Sequence, residues 1–243
     1  MTTFYIKSLG CKVSQYDGER IAEKLKGYGL IENENQPDLF ILNGCSVTGR
    51  ASQKARQIIR AVKRKKADCK IVLAGCEARL AEKKNERIPE VDWLLPYNDI
   101  DSINKMMSAL SLDINCDNNL VTKQFNHTEM TRAYLKVQDG CSQFCSYCIV
   151  AHLRGKEWSR PIDDAIKEAK ELVAEGHKEI VLTGIHVGHY KPSLVPLLKE
   201  LENVVKKDDV IAYAGLKLNL STSLKSLKED ALNFIEKVAN EVK

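Results

Sequence analysis

Three cysteines crowd the stretch "GCSQFCSYC", residues 140–148: Cys141, Cys145 and Cys148. The C-x3-C-x2-C spacing brings three thiolates around one small object, with no fourth cysteine beside them. Iron–sulfur cubes take cysteine thiolates, one per iron. Three thiolates leave the fourth iron open to an outside ligand, by the logic that keeps a catalytic zinc open. The competing reading is a zinc site completed by His152, although zinc ligands more often come in two separated pairs.

A second triad is spread along the chain. "LGC", "NGC" and "AGC" place Cys11, Cys45 and Cys76 each directly after a glycine, just past a short apolar run. If those runs are parallel strands, all three cysteines gather at the carboxyl edge of one sheet, where ligands of open α/β sheets bind. A glycine there lets the backbone turn tightly against a bound group. The expectation is a second three-thiolate cluster, its open iron free to hold an exogenous sulfur species. Buried or redox-active cysteines are the alternative, since free cysteine often packs as a small hydrophobe. Cys69, ahead of its strand, and Cys116 are expected to have no ligand role.

The elements that must position these residues follow from the pattern. Strands are predicted at 3–9, 38–43, 70–74 and 91–95, and helices at 16–29, 47–66, 78–88 and 98–110. Alternation at these lengths predicts a doubly wound parallel sheet. Residues 111–131 are polar and without period, and read as a linker. The pattern restarts with a strand at 133–138, the cysteine loop, a helix at 162–176 behind Pro161, a strand at 179–183, a helix at 193–206, a strand at 215–221 and a closing helix. The expected organisation is a domain over 1–110, a linker over 111–131 and a second α/β domain over 132–243.

The whole chain fits this plan. It has 243 residues, 44% apolar and 29% charged, with a net charge of +4, which permits a nucleic-acid partner without demanding one. The N-terminus lacks the basic start and apolar run of a signal peptide, and no stretch reaches the length of a membrane span. A cytoplasmic, reducing location is the expectation. There, eight cysteines point to metal or redox chemistry rather than disulfides. The helix at 47–66 carries Arg50, Lys54, Arg56, Arg60, Lys63, Arg64, Lys65 and Lys66. A solvated basic face and a phosphate-contacting face are both open readings.

The cysteine loop after a strand, with Tyr147 before the last cysteine, resembles the radical S-adenosylmethionine superfamily. The fuller set of words, "LGCKVSQYD", "NGCSVTGRASQKARQ", "AGCEARL", "TRAYLKVQDGCSQFCSYCIVAHLRGKEWSR" and "EIVLTGIHVGHY", resembles the methylthiotransferases within it. "LGCKVSQY" and "LTGIHVGHY" are most similar to the bacterial branch acting on threonylcarbamoyladenosine beside the tRNA anticodon. The branches acting on isopentenyladenosine and on a ribosomal protein share the plan.

The resemblance implies two 4Fe–4S clusters, a radical cluster on Cys141, Cys145 and Cys148 and an auxiliary one on Cys11, Cys45 and Cys76. It implies S-adenosylmethionine used twice, once as methyl donor to sulfur and once as source of the radical that takes hydrogen from adenine C2. It places Tyr147, Gly184, His186 and Arg154 near S-adenosylmethionine. Core packing for Tyr147, a satisfied histidine for His186, and salt bridging for Arg154, Glu157 and Arg160 stay open as alternatives. The implied partners are tRNA and an electron donor such as a flavodoxin or ferredoxin, with no membrane. The family usually has proline after "CIV", where this chain has Ala151 and His152.

Family members typically run to nearly twice this length, with a six-strand radical barrel and a C-terminal RNA-binding barrel. This chain has sequence for about three barrel strands, so the expected second domain is a partial (β/α) radical-SAM barrel. Its open sheet edge would seek a partner chain or a second copy. A non-catalytic iron–sulfur or RNA-binding module is the alternative from another class.

Overall fold

A computed structural model describes residues 1–112, 132–191 and 193–204, with the strands at 210–213 and 216–219. The expected linker over 111–131 and the closing helix fall almost wholly outside the described residues. The chain divides into two compact units, one of residues 1–124 with 147–149, the other of 125–146 with 150–243.

The first unit runs β1 (Thr3–Ser8), α1 (Lys12–Gly27), β2 (Ile31–Glu32), β3 (Leu39–Gly44), α2 (Gly49–Lys65), β4 (Lys70–Ala74), α3 (Gly75–Lys83), β5 (Trp93–Leu95) and α4 (Ile100–Ala109). Its sheet is parallel throughout, in the order β2-β1-β3-β4-β5. Strand β3 explains the layering. Leu39 and Ile41 join the core beneath α1 and α4, with Ile21, Leu25, Ile103 and Met106. Phe40 and Leu42 join the core on the other face, with Ala55 and Ile59 of α2 and Ala78 and Ala81 of α3. A parallel sheet covered on both faces reads as a continuous apolar run, which is what "LFIL" is.

Helix ends follow local chemistry. Thr48 caps α2 by accepting from Ala51 N at 3.3 Å, and Lys63, Arg64 and Lys65 complement the negative end of its dipole. Asp99 caps α4, accepting from Ser102 N at 2.8 Å. Helix α1 starts four residues before its apolar period suggests, directly after Cys11.

Asp38 ties β3 to its surroundings. It accepts from Thr3 N at 2.9 Å, from Thr3 Oγ1 at 2.8 Å and from Lys66 Nζ at 2.6 Å. The Lys66 bond, then the Thr3 backbone bond, lower its carboxyl from 3.8 to about 2. A lowered carboxyl stabilises the fold above its unfolded pKa and loses that contribution as pH falls through the folded one. Asp38→Asn is therefore expected to lower the melting temperature at pH 7, with the gap to wild type closing between pH 4 and 2. An unchanged gap across that window in thermal melts would refute the assignment.

The second unit runs β6 (Arg132–Lys136), β7 (Gln138–Asp139), α5 (Val150–Arg154), β8 (Trp158–Ser159), α6 (Ile162–Ala174), β9 (Glu179–Thr183), a 3-10 turn (Val187–His189), α7 (Leu194–Val204), β10 (Val210–Tyr213) and β11 (Leu216–Asn219). The main sheet has the order β11-β10-β9-β6. Ala133, Leu135, Ile180 and Leu182 pack on α6 and α7 through Ala165, Ala169, Leu172, Leu197 and Leu201. Those helices form the outer layer of a β/α wall, as in a barrel. The partial (β/α) barrel after a doubly wound sheet is therefore the architecture.

One expected strand is corrected. The strand expected at 215–221 is present as β11, but it is not third in line, because an unforeseen strand, β10, precedes it and pairs parallel with β9. Strand β11 pairs antiparallel with β10. Only two residues separate them. A parallel neighbour needs a crossover of a dozen residues or more, so so short a connection reverses the chain.

Candidate functional site

The edge of the first sheet carries one triad. Cys11, Cys45 and Cys76 follow β1, β3 and β4, three adjacent strands. Leu9 N donates to Asn43 O at 2.8 Å, extending the β1–β3 pairing past the strand ends. Gly44 and Gly75 form a parallel bridge that does the same for β3 and β4. A Cβ at Gly10 would stand 3.1 Å from Cys45 Cβ, so the backbone before Cys11 rests on the Cys45 side chain. Gly75 has φ +74°, and a Cβ there would meet Asn43 Oδ1 at 2.2 Å. Glycine is required at that turn.

The surroundings suit an anionic sulfur cluster. Cys11 is the N-cap of α1 without a capping bond from its side chain, and Cys76 lies in the first turn of α3. Helix N-termini favour negative charge. The hydroxyls of Ser14 and Ser46 are buried without a hydrogen-bond partner among the described residues. The sulfurs of a cluster held at this edge would accept from such donors, a bond that also tunes potential. Glu77, beside Cys76, accepts from Ser52 Oγ at 2.7 Å and ties α3 to α2.

The second triad lies on the loop between β7 and α5. Gly140 has φ +74°, and a Cβ there would sit 2.1 Å from Lys156 O. Cys141 N donates to Gly155 O at 3.1 Å and Ser142 N to Glu157 Oε1 at 3.1 Å. Phe144 holds a left-handed φ of 47° between the first two cysteines, a conformation uncommon outside glycine. All three cysteines are half-buried. Tyr147 is 90% exposed and so does not serve the core. His152 meets Phe144 edge-on, with ring centroids 5.3 Å apart. Among the described residues no three His, Cys, Asp or Glu side chains converge on a point for one metal ion. A cube places its thiolates at separate corners, one per iron.

Gln138 is the residue that sequence reasoning passed over. It is fully buried. Its Nε2 donates to Asp139 O at 2.9 Å and to Gly140 O at 2.8 Å, and its Oε1 accepts from His186 N at 2.7 Å. One side chain thus fixes the start of the cysteine loop and the turn after β9. Gly184 is the close approach that permits this, since a Cβ there would meet Gln138 O at 2.9 Å. The available signal was a glutamine at the end of the strand-like "YLKVQ".

Around this clamp the charges are paired. Asp139 accepts from Gly140 N at 2.8 Å and pairs with Lys136 at 3.0 Å and Arg154 at 3.3 Å. Burial pushes its carboxyl up, but Lys136 and Arg154 outweigh burial and the net shift is downward. Arg154 thus sits under the loop, bonded to Asp139. His189 Nδ1 lies 3.0 Å from Glu157 Oε1, and its ring stacks on His186 with centroids 3.7 Å apart. The bond to His189, then that from Ser142 N, lowers the Glu157 carboxyl, while burial, then His189, lowers His186 and favours its neutral ring.

Two matches define the class of protein. Residues 3–96 match the family described as "Uncharacterized protein family UPF0004", and residues 135–242 match the radical SAM superfamily. A UPF0004 region ahead of a radical SAM region thus makes up most of this chain, which is similar to tRNA methylthiotransferases. It is 32% identical to threonylcarbamoyladenosine tRNA methylthiotransferase MtaB of Thermotoga maritima, over 85% of this chain and 49% of that protein. It is 35% identical to the protein of that name from Bacillus subtilis, over the same shares. It is 32% identical to tRNA-2-methylthio-N(6)-dimethylallyladenosine synthase of Thermodesulfovibrio yellowstonii, over 85% of this chain and 50% of that protein. The chain spans about half the length of these relatives. Among solved structures, the radical S-adenosylmethionine methyltransferase TsrM of Kitasatospora setae, with tryptophan substrate and aza-SAM bound, has a TM-score of 0.51 and 12% identity, covering 84% of this chain and 50% of that one. That likeness speaks for the fold alone. The cofactors of the family are those of radical SAM proteins, 4Fe–4S iron–sulfur centres and S-adenosylmethionine. No helix among the described residues is long and apolar enough to cross a membrane.

Proposed function

We propose that this chain is a radical SAM methylthiotransferase that adds a methylthio group to C2 of N6-threonylcarbamoyladenosine in tRNA. The observation that carries the reading is the delivery of three glycine–cysteine pairs to one edge by three adjacent parallel strands, ahead of a C-x3-C-x2-C loop. A one-cluster radical protein has no need of that edge. The relatives named for threonylcarbamoyladenosine support the choice of base. A second reading, isopentenyladenosine, is favoured by a relative of equal identity named for dimethylallyladenosine.

In this reading residues 1–110 form the auxiliary domain, 111–131 the linker and 132–243 the radical domain. Cys11, Cys45 and Cys76 hold one 4Fe–4S cluster and Cys141, Cys145 and Cys148 the other. When bound, the clusters and S-adenosylmethionine supply one-electron cleavage of the sulfonium and a sulfur for transfer. The protein's own residues position and shield. Gln138 and Asp139 set the loop, Arg154 neutralises Asp139, and Tyr147, Gly184 and His186 line the place for S-adenosylmethionine. A flavodoxin or ferredoxin supplies electrons in the cytoplasm, and a partner chain or second copy covers the open barrel edge.

Mass spectrometry of tRNA nucleosides from cells without the protein tests this. Loss of the methylthio group from threonylcarbamoyladenosine is expected. Loss from isopentenyladenosine instead would move the substrate to the second reading, and no change in either would refute both.

The basic helix bears on the partner. Arg56 pairs with Glu86 at 2.5 Å, Arg60 with Glu90 and Lys63 with Asp92 at 3.1 Å, and Lys66 with Asp38 at 2.6 Å. Arg50, Lys54, Arg64 and Lys65 are exposed, with no acidic partner among the described residues. Replacing these four with glutamine is expected to flatten the plot of log K for tRNA against log salt by about 3. An unchanged slope would leave α2 as a solvated face.

A further inference from the structure

Along the carboxyl edge of the first sheet, the strands β1, β3, β4 and β5 are followed by Cys11, Cys45, Cys76 and Tyr97. The fourth strand end thus offers an aromatic ring where its three neighbours offer thiols, and adjacent strands stand about 4.8 Å apart. Tyr97 is 51% exposed. The Arg79 guanidinium lies over its ring, 4.9 Å from the centroid. Arg79 Nε donates to Pro96 O at 2.6 Å, which holds the guanidinium in place. Arg79 is three residues after Cys76 on α3, so both lie on one helix face.

We propose that Tyr97, backed by Arg79, is a stacking platform for an unpaired RNA base beside the auxiliary thiols. The inference rests on the tRNA reading above and gives it a recognition residue. Single-stranded RNA is bound by stacking bases on aromatic rings and arginine planes, with cations tracking the phosphates. Arg50 and Lys54 supply such cations in the first turns of α2, which starts just after Cys45 at the same edge. The guanidinium over the ring holds it by a cation–π contact, which fixes the orientation of the platform. No acidic side chain is paired with Arg50 or Lys54 among the described residues, so the charge here suits a polyanion.

The test is equilibrium binding of two probes, an RNA stem-loop with an adenine-rich loop and a blunt RNA duplex of equal length. The protein is the reconstituted full chain, as wild type, Tyr97→Phe and Tyr97→Ala. Tyr97→Ala is expected to weaken stem-loop binding about tenfold, with Tyr97→Phe within twofold of wild type and duplex binding unchanged in both. Iron content and the thermal melt confirm that each variant is folded and loaded. If Tyr97→Ala binds the stem-loop as wild type does, or loses stem-loop and duplex equally, the platform is refuted while the tRNA reading stands. If wild type binds neither RNA, the tRNA reading falls and the platform with it.

Discussion

Replacing Cys45 with alanine is expected to halve the iron bound per chain, from about eight atoms to about four, while 5′-deoxyadenosine is still released from S-adenosylmethionine. Cys45 follows the middle strand β3, between Cys11 after β1 and Cys76 after β4, and in the proposed function it is the middle ligand of that edge. Two thiolates do not hold a cube that is already one ligand short. Cys145→Ala is the mirror experiment. It also leaves about four irons, but adenosyl cleavage falls to background, because the open iron that binds S-adenosylmethionine is gone. Anaerobic reconstitution, iron counting and chromatography of the nucleoside read both outcomes. If Cys45→Ala keeps all the iron of wild type, the edge holds no cluster and the sulfur-transfer reading fails.

The second large effect is at Gly140. Alanine there would need φ near +74° and would drive its methyl group to 2.1 Å from Lys156 O, a backbone atom that cannot swing aside. The conformation alone costs about 1–3 kcal/mol. With the overlap, the expected loss is about 3 kcal/mol or more, and the melting temperature drops by about 10 °C. Gly155→Ala is the control. It shares φ +74°, but a Cβ there meets nothing within 4 Å. Its expected cost is the backbone term alone. Equal losses in circular-dichroism melts of the two variants would show that the Lys156 carbonyl can yield.

The central elements could be read from the sequence because each has one dominant signal. The strands at 70–74 and 179–183 coincide with β4 and β9, since a short apolar run opened by a charged residue and closed by glycine leaves little choice of bounds. The cysteines' places followed from those strands. Less legible were elements defined by partners rather than by pattern. β2, β7 and β8 are two residues each and exist only because a neighbour pairs with them. β10 was hidden because "VIAY" is only four residues long, and "LKLN" beyond it is the better alternating segment. Within the sites, cysteine and glycine announced themselves, but Gln138, Asn43 and Ser14 did not. Their importance lies in what they reach across the fold, and periodicity carries no record of that.

The glycines before the edge cysteines have a further consequence for how the protein tolerates change. Each leans on its neighbour's strand end: Gly10 on Cys45, Gly44 on Glu77 beside Cys76, and Gly75 on Asn43. A bulkier residue at any one of them would press on the neighbouring strand's end or the helix after it: on Cys45 itself, on Glu77 next to Cys76, or on Asn43 two residues before Cys45. Damage at this rim travels sideways, so drift in one of these three words of sequence is tolerable only when another drifts with it.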